Sequence, residues 1–98
     1  MAETAILAPG TAAATSDPVS IPAGKTALFA AYVASGAIPG GVQLAIKLQV
    51  TGGVPVLIEH LGMEEPTSIH NPTETAISVI VVRDALTNGY SVGCKAIT

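Results

Sequence analysis

Hydrophobic and polar positions alternate most regularly over residues 42–51, where a large aliphatic side chain occupies every second position. A period of two predicts a β-strand with one buried face, because successive side chains of a strand point to opposite sides. A second apolar run at 54–61 follows the pair Gly52-Gly53, and this spacing predicts an antiparallel hairpin. Pro55 has no backbone N–H to donate, so its position is expected at a sheet edge or at the start of the strand.

Other apolar stretches predict further strands. The segment 75–83 contains the densest run of β-branched residues and is the best candidate for a central strand. The segment 26–34 is apolar on both faces, which predicts that both faces are covered, with another subunit as one candidate cover. A helix over 27–34 is the alternative for this segment, since alanine favours helices. The remaining strands are expected at 16–22 and 90–97, with a weak one at 3–8.

Six strands and a doubtful seventh, separated by turn signals about every ten residues, predict an all-β fold. The expected architecture is an antiparallel β-sandwich of jelly-roll or immunoglobulin-like topology. Residues 16–98 are expected to form this single domain, and residues 1–15 an N-terminal arm or a weak edge strand. Loops and turns are expected at 23–25, 35–41, 62–73 and Asn88-Gly89.

The composition is both apolar and poor in charge: 49% of the residues are hydrophobic, 11% are charged and the net charge is −3. Nucleic acid is therefore not an expected partner, because binding to a phosphate backbone depends on clustered Lys and Arg. The longest apolar stretch, 77–82, is much shorter than the about 20 residues of a membrane span, so no membrane partner is expected. The first residues lack the positive charge of a secretion signal, so synthesis in the cytoplasm without a signal peptide is expected.

Candidate catalytic and metal-binding side chains form no familiar pattern. Six acidic and histidine residues lie close in sequence without metal-ligand spacing: Glu59, His60, Glu64, Glu65, His70 and Glu74. His60 shares the alternation of the apolar residues before it and is expected to be half-buried. Cys94 is expected to be a small buried side chain in a strand, and Arg83 to form an exposed ion pair with Asp84. We assign no catalytic, cofactor-binding or metal-binding residue, expect no cofactor, and expect that the protein is not an enzyme.

The surplus of apolar residues over charged ones needs a physical explanation. A chain of this size buries only about 60 to 70% of the surface that its unfolded form exposes, so much of its surface remains in contact with water. A symmetric homo-oligomer, in which subunits share a core and exchange N-terminal arms, would cover the excess apolar area. We therefore expect the chain to associate with itself.

Three segments of the sequence, 18–25, 32–39 and 88–93, have a pattern of proline, glycine and small residues that resembles one group of proteins. These are the small virion proteins of tailed bacteriophages, of the head-decoration, capsid-cementing or tail-accessory type. The resemblance implies a homotrimeric β-sandwich on the capsid surface, made in the host cytoplasm, whose partner is the major capsid protein or another virion protein. It implies no catalytic residue. The chain has no shaft repeat or receptor-binding tip, which favours a compact decoration protein over a fibre.

In this interpretation the oligomer binds the assembled shell and stabilises it by mass action. Residues 2–15 are the expected docking or arm-exchange element, and the loop at 62–73 the expected distal face. The alternative interpretation is a carbohydrate- or receptor-binding β-sandwich module of a phage tail or fibre assembly. A third interpretation, a small enzyme, would require a cleft with converging carboxylates.

Overall fold

The regular structure of the chain consists of β-strands, and no helix occurs in the described ranges. The structure is a computed structural model and describes residues 3–34, 42–63, 65–86 and 91–98. The strands are β1 (Glu3–Gly10), β2 (Ala14–Thr15), β3 (Val19–Ile21), β4 (Thr26–Val33), β5 (Gln43–Leu48), β6 (Val56–Gly62), β7 (Thr67–His70), β8 (Ile77–Arg83) and β9 (Val92–Ile97). The helix considered for 27–34 is therefore wrong, because β4 occupies that segment.

The strands form two antiparallel sheets. Sheet A has the order β1-β9-β4-β7, and sheet B has the order β2-β8-β5-β6, with β3 beside β8 on the same edge as β2. The chain folds as a series of hairpins in which each strand pair encloses the next: β1·β9, β2/β3·β8, β4·β7 and β5·β6. The additional pairs β9·β4 and β8·β5 join these hairpins within the two sheets. With β2 and β3 counted as one interrupted strand, this is an eight-stranded jelly roll. The predicted β-sandwich is confirmed.

The core lies between the inner faces of the two sheets. In β5, Leu44 and Ile46 are buried while Gln43 is exposed, so the alternation read from the sequence is confirmed. Strand β8 lies between β2/β3 and β5, which confirms the central strand predicted at 75–83. The fully buried apolar side chains come from both sheets: Ile21, Ala27, Phe29, Leu44, Ile46, Leu61, Val79, Val81, Val92, Cys94 and Ala96.

Two predicted turns are present, and each contains a glycine in the left-handed region. Gly24 has φ 71°, and the Lys25 amide donates to the Pro22 carbonyl (3.0 Å). Gly52 has φ 75° in the turn between β5 and β6, a conformation that other residues adopt only with strain. The segment 35–41 and the turn at Asn88-Gly89 lie outside the described residues.

Residues 3–10 are part of the sandwich. They form the edge strand β1, which pairs with β9 of the same chain and has register shifts on either side of Leu7. Ile6 and Leu7 are buried in the core. Of the two alternatives for the start of the chain, the described residues therefore adopt the edge strand. Strands β1 and β2 belong to the same two sheets as the strands that follow residue 16.

The predicted surface loop at 62–73 is partly wrong. Thr67–His70 forms β7, which pairs with the first half of β4 and turns Ile69 toward the core. Only one residue of this short strand is strongly apolar, so the pattern was too weak to predict it.

Asn71, which follows β7, is fully buried although the sequence predicted a solvent-exposed loop there. Its side-chain amide donates to the carbonyls of Ile21 (2.9 Å) and Thr75 (2.8 Å), and its side-chain oxygen accepts from the Thr73 amide (2.9 Å) and hydroxyl (2.6 Å). Buried amides are tolerated when they are satisfied in this way. Asn71 therefore joins the end of β7 to β3 in the opposite sheet.

Arg83 is also buried, with 5% of its surface exposed, so the predicted exposed ion pair with Asp84 is wrong. Its guanidinium donates to the backbone carbonyls of Ala12 (2.7 Å), Ala8 (2.9 Å) and Val92 (2.6 Å). A Cβ at Gly10 would approach the Arg83 Nη2 atom to 2.9 Å, so the glycine leaves room for the guanidinium. The side chain thus connects the end of β8 in sheet B to β1 and β9 in sheet A.

Strand β4 alternates more clearly than its sequence predicted. Ala27 and Phe29 are fully buried, whereas Leu28, Ala30 and Tyr32 are half-buried on the outer face of sheet A. The central position of β4 between β9 and β7 explains the partial cover of that outer face. Complete burial of both faces is not seen in the single chain.

Candidate interaction surface

Exposed apolar side chains are concentrated in the hairpin formed by β5 and β6. In the part of the chain that the structure describes, the large hydrophobic residues that are exposed all lie there: Val50 (43%), Val54 (82%), Val56 (51%), Leu57 (48%) and Ile58 (40%). We call these five residues the apolar edge. Scattered surface hydrophobics are ordinary, but a contiguous group on one element is typical of an interaction site.

The position of β6 in sheet B explains the exposure. Among the described strands, β6 pairs with β5 alone, so its other side is a sheet edge. Leu61 is fully buried and anchors the C-terminal end of the strand in the core. All residues from 51 to 60 are exposed. The N-terminal half of β6 therefore carries apolar side chains on both faces, beyond the cover of the opposite sheet.

A β-bulge in β6 changes the register that the sequence suggested. Ile46 is opposite Glu59 and Lys47 is opposite Leu57, so Ile58 has no partner in β5. The extra residue moves His60 out of the alternation of the apolar residues before it. His60 is exposed. The half-buried position predicted for it is therefore wrong.

The apolar edge has little charge. From Leu48 to Gly62 the only Asp, Glu, Lys or Arg is Glu59. Its side-chain oxygen accepts a hydrogen bond from the His60 backbone amide at 3.0 Å. A partner surface therefore needs apolar groups and strand hydrogen bonds rather than complementary charge.

The β5–β6 hairpin is hydrogen-bonded to β8 just after the end of β5. The Gln49 amide donates to the Ser78 carbonyl (2.9 Å), and the Ser78 hydroxyl donates to Gln49 Oε1 (2.7 Å). An open cleft of about 600 Å³ lies beside this contact, lined by residues 48–51 and 76–78. Its lining contains neither a titratable nor an aromatic side chain. The cleft can make apolar contacts and neutral hydrogen bonds.

The six acidic and histidine residues considered for a metal site are dispersed. Glu59 and His60 lie on β6, whereas His70 lies on β7 in the other sheet, with Nδ1 2.9 Å from the Thr26 hydroxyl. Glu65 and Glu74 are exposed, and Glu64 lies outside the described residues. Within the described ranges, no three His, Cys, Asp or Glu side chains converge.

Cys94 is buried in β9, as the sequence predicted. Burial raises the pKa of its thiol from 9.0 to about 12, because the thiolate would lose its hydration. The reactive form of cysteine is the thiolate, so this thiol is inert in the folded chain near neutral pH.

One ion pair lies on the outer face of sheet A. Lys95 Nζ is 2.7 Å from Glu3 Oε1 and 5.1 Å from the centre of the Tyr32 ring. The Glu3 carboxylate raises the pKa of Lys95 through this hydrogen bond and its charge. Sequence reasoning missed the pair because its members lie at opposite ends of the chain. Both side chains are exposed, and such pairs contribute little to stability.

The apolar edge was also missed at the sequence level, since the run at 54–61 predicted only the second strand of a hairpin. The signal that could have identified it is Pro55, which immediately precedes β6 and was expected at a sheet edge or at the start of a strand. An apolar run on an edge strand is less well covered than one on a central strand.

Comparisons with known proteins add no relative to this description: no protein-family model, no curated protein and no solved structure matches the chain. The described residues include no helix that is long and apolar enough to cross a membrane.

Proposed function

We propose that this protein is a non-enzymatic structural component of a tailed-bacteriophage virion, a decoration or cement protein. In this proposal it binds the assembled capsid shell as a homo-oligomer and stabilises it. The shell contacts and the contacts between copies are both protein–protein interfaces, and the major capsid protein is the proposed partner.

The apolar edge is the observation that carries the proposal. Its five large side chains are 40 to 82% exposed, and burying a Val, Leu or Ile completely contributes about 1.5 to 3 kcal/mol. Covering what remains exposed would contribute roughly 1 kcal/mol for each side chain, or about 5 kcal/mol in total, before the costs of association. A surface of this kind favours a protein whose role is to bind another protein.

The fold is compatible with the proposal through analogy alone. Jelly rolls occur in viral capsid proteins, and they also occur in lectins and cupins. A fold hosts many functions, so the analogy adds less weight than the surface.

A carbohydrate- or receptor-binding module of a tail or fibre assembly is the second candidate. The cleft of about 600 Å³ beside Gln49 and Ser78 favours it, because amide and hydroxyl groups can bind sugar hydroxyls. The cleft lining lacks the aromatic ring on which sugars usually stack, so the capsid proposal remains preferred.

Particles produced from the genome that encodes the chain provide the test. We expect mass spectrometry of purified heads to find the protein. Heads from a deletion strain should rupture at a lower temperature, and added purified protein should restore the wild-type temperature.

A protein that is absent from purified particles would contradict the proposal, as would heads whose rupture temperature is independent of it. Retention of the isolated protein on a glycan array or on host cells, without binding to heads, would support the second candidate instead.

A further inference from the structure

We propose that two copies of this chain associate by antiparallel pairing of their β6 strands, which joins their B sheets across a two-fold axis. The inference rests on the homo-oligomer part of the proposed function and does not need its virion part. It differs from the trimer that the sequence resemblance implies, because the contact is isologous.

The geometry of β6 favours a strand as the occupant. Its seven residues pair with β5 on one side, and no other described strand lies on the other side. Val56, Leu57 and Ile58 are exposed although they lie on both faces of the strand. A flat protein surface would cover one face only, whereas a strand added in the plane of the sheet brings neighbouring side chains to both faces.

The order of side chains favours a second copy as that strand. In an antiparallel pair centred on Leu57, each Leu57 lies opposite the other, and Val56 lies opposite Ile58 of the second copy. The apolar residues therefore match one another, and β-branched residues are well suited to cross-strand pairs. Glu59 lies outside this central group, so no carboxylate opposes its own copy.

The distribution of charge supports the same choice. The chain has a net charge of −3, so two copies repel over most of their surfaces. The segment from Leu48 to Gly62 contains one charged residue, Glu59, and Lys47 of β5 lies opposite Leu57. The surroundings of the apolar edge thus include one acidic and one basic side chain, and two copies can approach there with little net repulsion.

The pairing has consequences for stoichiometry and strength. An isologous contact uses the same patch on both copies, so it generates dimers or oligomers built from dimers. The register centred on Leu57 places only residues 56–58 of the two β6 strands opposite each other, which is a small contact compared with the ~800 Å² that each partner buries in a standard interface. We therefore expect dimerisation that depends on protein concentration.

Size-exclusion chromatography with light-scattering detection, over a range of protein concentrations, tests the stoichiometry. We expect the mass to rise from that of one chain to that of two. Leu57→Lys should weaken dimerisation at least about tenfold, because a centred pair would place the two new ammonium groups opposite each other. Ser20→Lys is the matched control, since Ser20 is exposed in β3 on the opposite edge of sheet B, and it should dimerise like the wild type.

Cysteine cross-linking tests the pairing directly. Cys94 is buried and inert, so a single added cysteine reports on its own position. Leu57→Cys should form a disulfide-linked dimer under mild oxidation, since directly opposed Cβ atoms lie about 4.5 to 5.5 Å apart. Ser20→Cys should cross-link at a much lower rate.

A wild-type monomer at all accessible concentrations would overturn the inference, and so would a trimer. Dimerisation that Leu57→Lys leaves unchanged would do the same, as would equal cross-linking of Leu57→Cys and Ser20→Cys. Circular dichroism of each variant shows whether it is folded, and Leu57→Cys tests the pairing without introducing a charge. A monomer that still binds heads would overturn this inference and the homo-oligomer part of the proposed function but not its virion part, whereas a β6-paired dimer absent from heads would overturn the virion part alone.

Discussion

The two edges of sheet B differ in how far their backbone N–H and C=O groups are hydrogen-bonded within the chain. At the β2/β3 edge the strand is interrupted at residues 16–18, where Ser16 is buried while Asp17 and Pro18 are exposed. Ser16 keeps its contact with β8 through its amide, which donates to the Val81 carbonyl (2.8 Å), and through its hydroxyl oxygen, which accepts from the Val81 amide (2.8 Å). The Asp17 amide donates to the Ile6 carbonyl in sheet A (3.0 Å).

The β6 edge is longer and less protected. It has three of the features that natural edges use against unwanted pairing, the bulge at Ile58, the charge of Glu59 and Pro55 directly before the strand, but it has neither a lysine nor a broken strand. At the β2/β3 edge, by contrast, prolines flank a strand of three residues. The β2/β3 edge is thus closed by contacts within the chain. The β6 edge retains the backbone N–H and C=O groups with which a further strand would pair.

Disruption of the closed edge should have the largest effect on stability. Arg83→Met would leave the carbonyls of Ala8, Ala12 and Val92 without their charged donor, and we expect a loss of about 4 kcal/mol in the free energy of unfolding. Urea denaturation measures the change. Asp84→Asn, an exposed neighbour, is the control and should change stability by less than about 0.5 kcal/mol. Equal effects of the two substitutions would contradict the conclusion that Arg83 stabilises the fold by connecting β8 to β1 and β9.

Two leucines of β6 offer a sharper comparison within one strand. Leu61→Ala should cost about 3 kcal/mol, because Leu61 is fully buried and the substitution leaves a cavity. Leu57→Ala should cost less than about 0.5 kcal/mol when the protein is dilute enough to be monomeric. Denaturation of both variants at low concentration checks this. A large cost at Leu57 in the monomer would mean that the apolar edge is packed within its own chain.

Ser16→Ala tests the interruption between β2 and β3. The substitution removes the acceptor of the Val81 amide, and a buried unsatisfied donor costs about 1 to 3 kcal/mol. Urea denaturation should show a loss of about 2 kcal/mol, and hydrogen exchange of the Val81 amide should accelerate. Ser20→Ala, at an exposed position of β3, is the matched control. Unchanged exchange at Val81 would show that the hydroxyl does not complete the ladder.

The smallest expected effect concerns β1, an edge of sheet A. Because the Glu3 carboxylate raises the pKa of Lys95 above 10.5, the folded chain holds this proton more tightly than the unfolded chain. The resulting stabilisation is present below pH 10.5 and is lost as the pH rises through the folded pKa. Glu3→Gln should remove it and return the Lys95 pKa toward 10.5, as NMR titration of Lys95 would show. Cys94 also titrates at alkaline pH, but it does so in both proteins, so the difference between them isolates Lys95.

Sequence patterns predicted the fold where periodicity was strong. The alternation of β5 and the β-branched run of β8 identified two interior strands, and Gly52 identified the turn of the hairpin. Strand β7 was missed because its single strongly apolar residue, Ile69, gives no detectable period. Local pattern was sufficient where one face of a long strand meets the core.

Local sequence pattern could not predict whether Arg83 and the side chains of β6 are buried or exposed. Arg83 is buried because three carbonyls from β1, β9 and the segment before β2 surround it, and two of them lie more than 70 residues away in sequence. The exposure of Val56 depends on where the opposite sheet ends, whereas Leu57 lies opposite Lys47 on the outer face of sheet B. The exposure of His60 depends on a one-residue bulge at Ile58, which shifts the register of β6.

The nesting of the hairpins has a consequence for how the chain acquires its structure. Strand β9 lies between β1 and β4, so sheet A contains a gap one strand wide until residues 92–97 emerge from the ribosome. Contacts between residues so distant in sequence also slow folding, since long loops must close before they form. The nascent chain should therefore complete this fold only after synthesis of β9, the strand that pairs with Leu7 of β1 and Phe29 of β4.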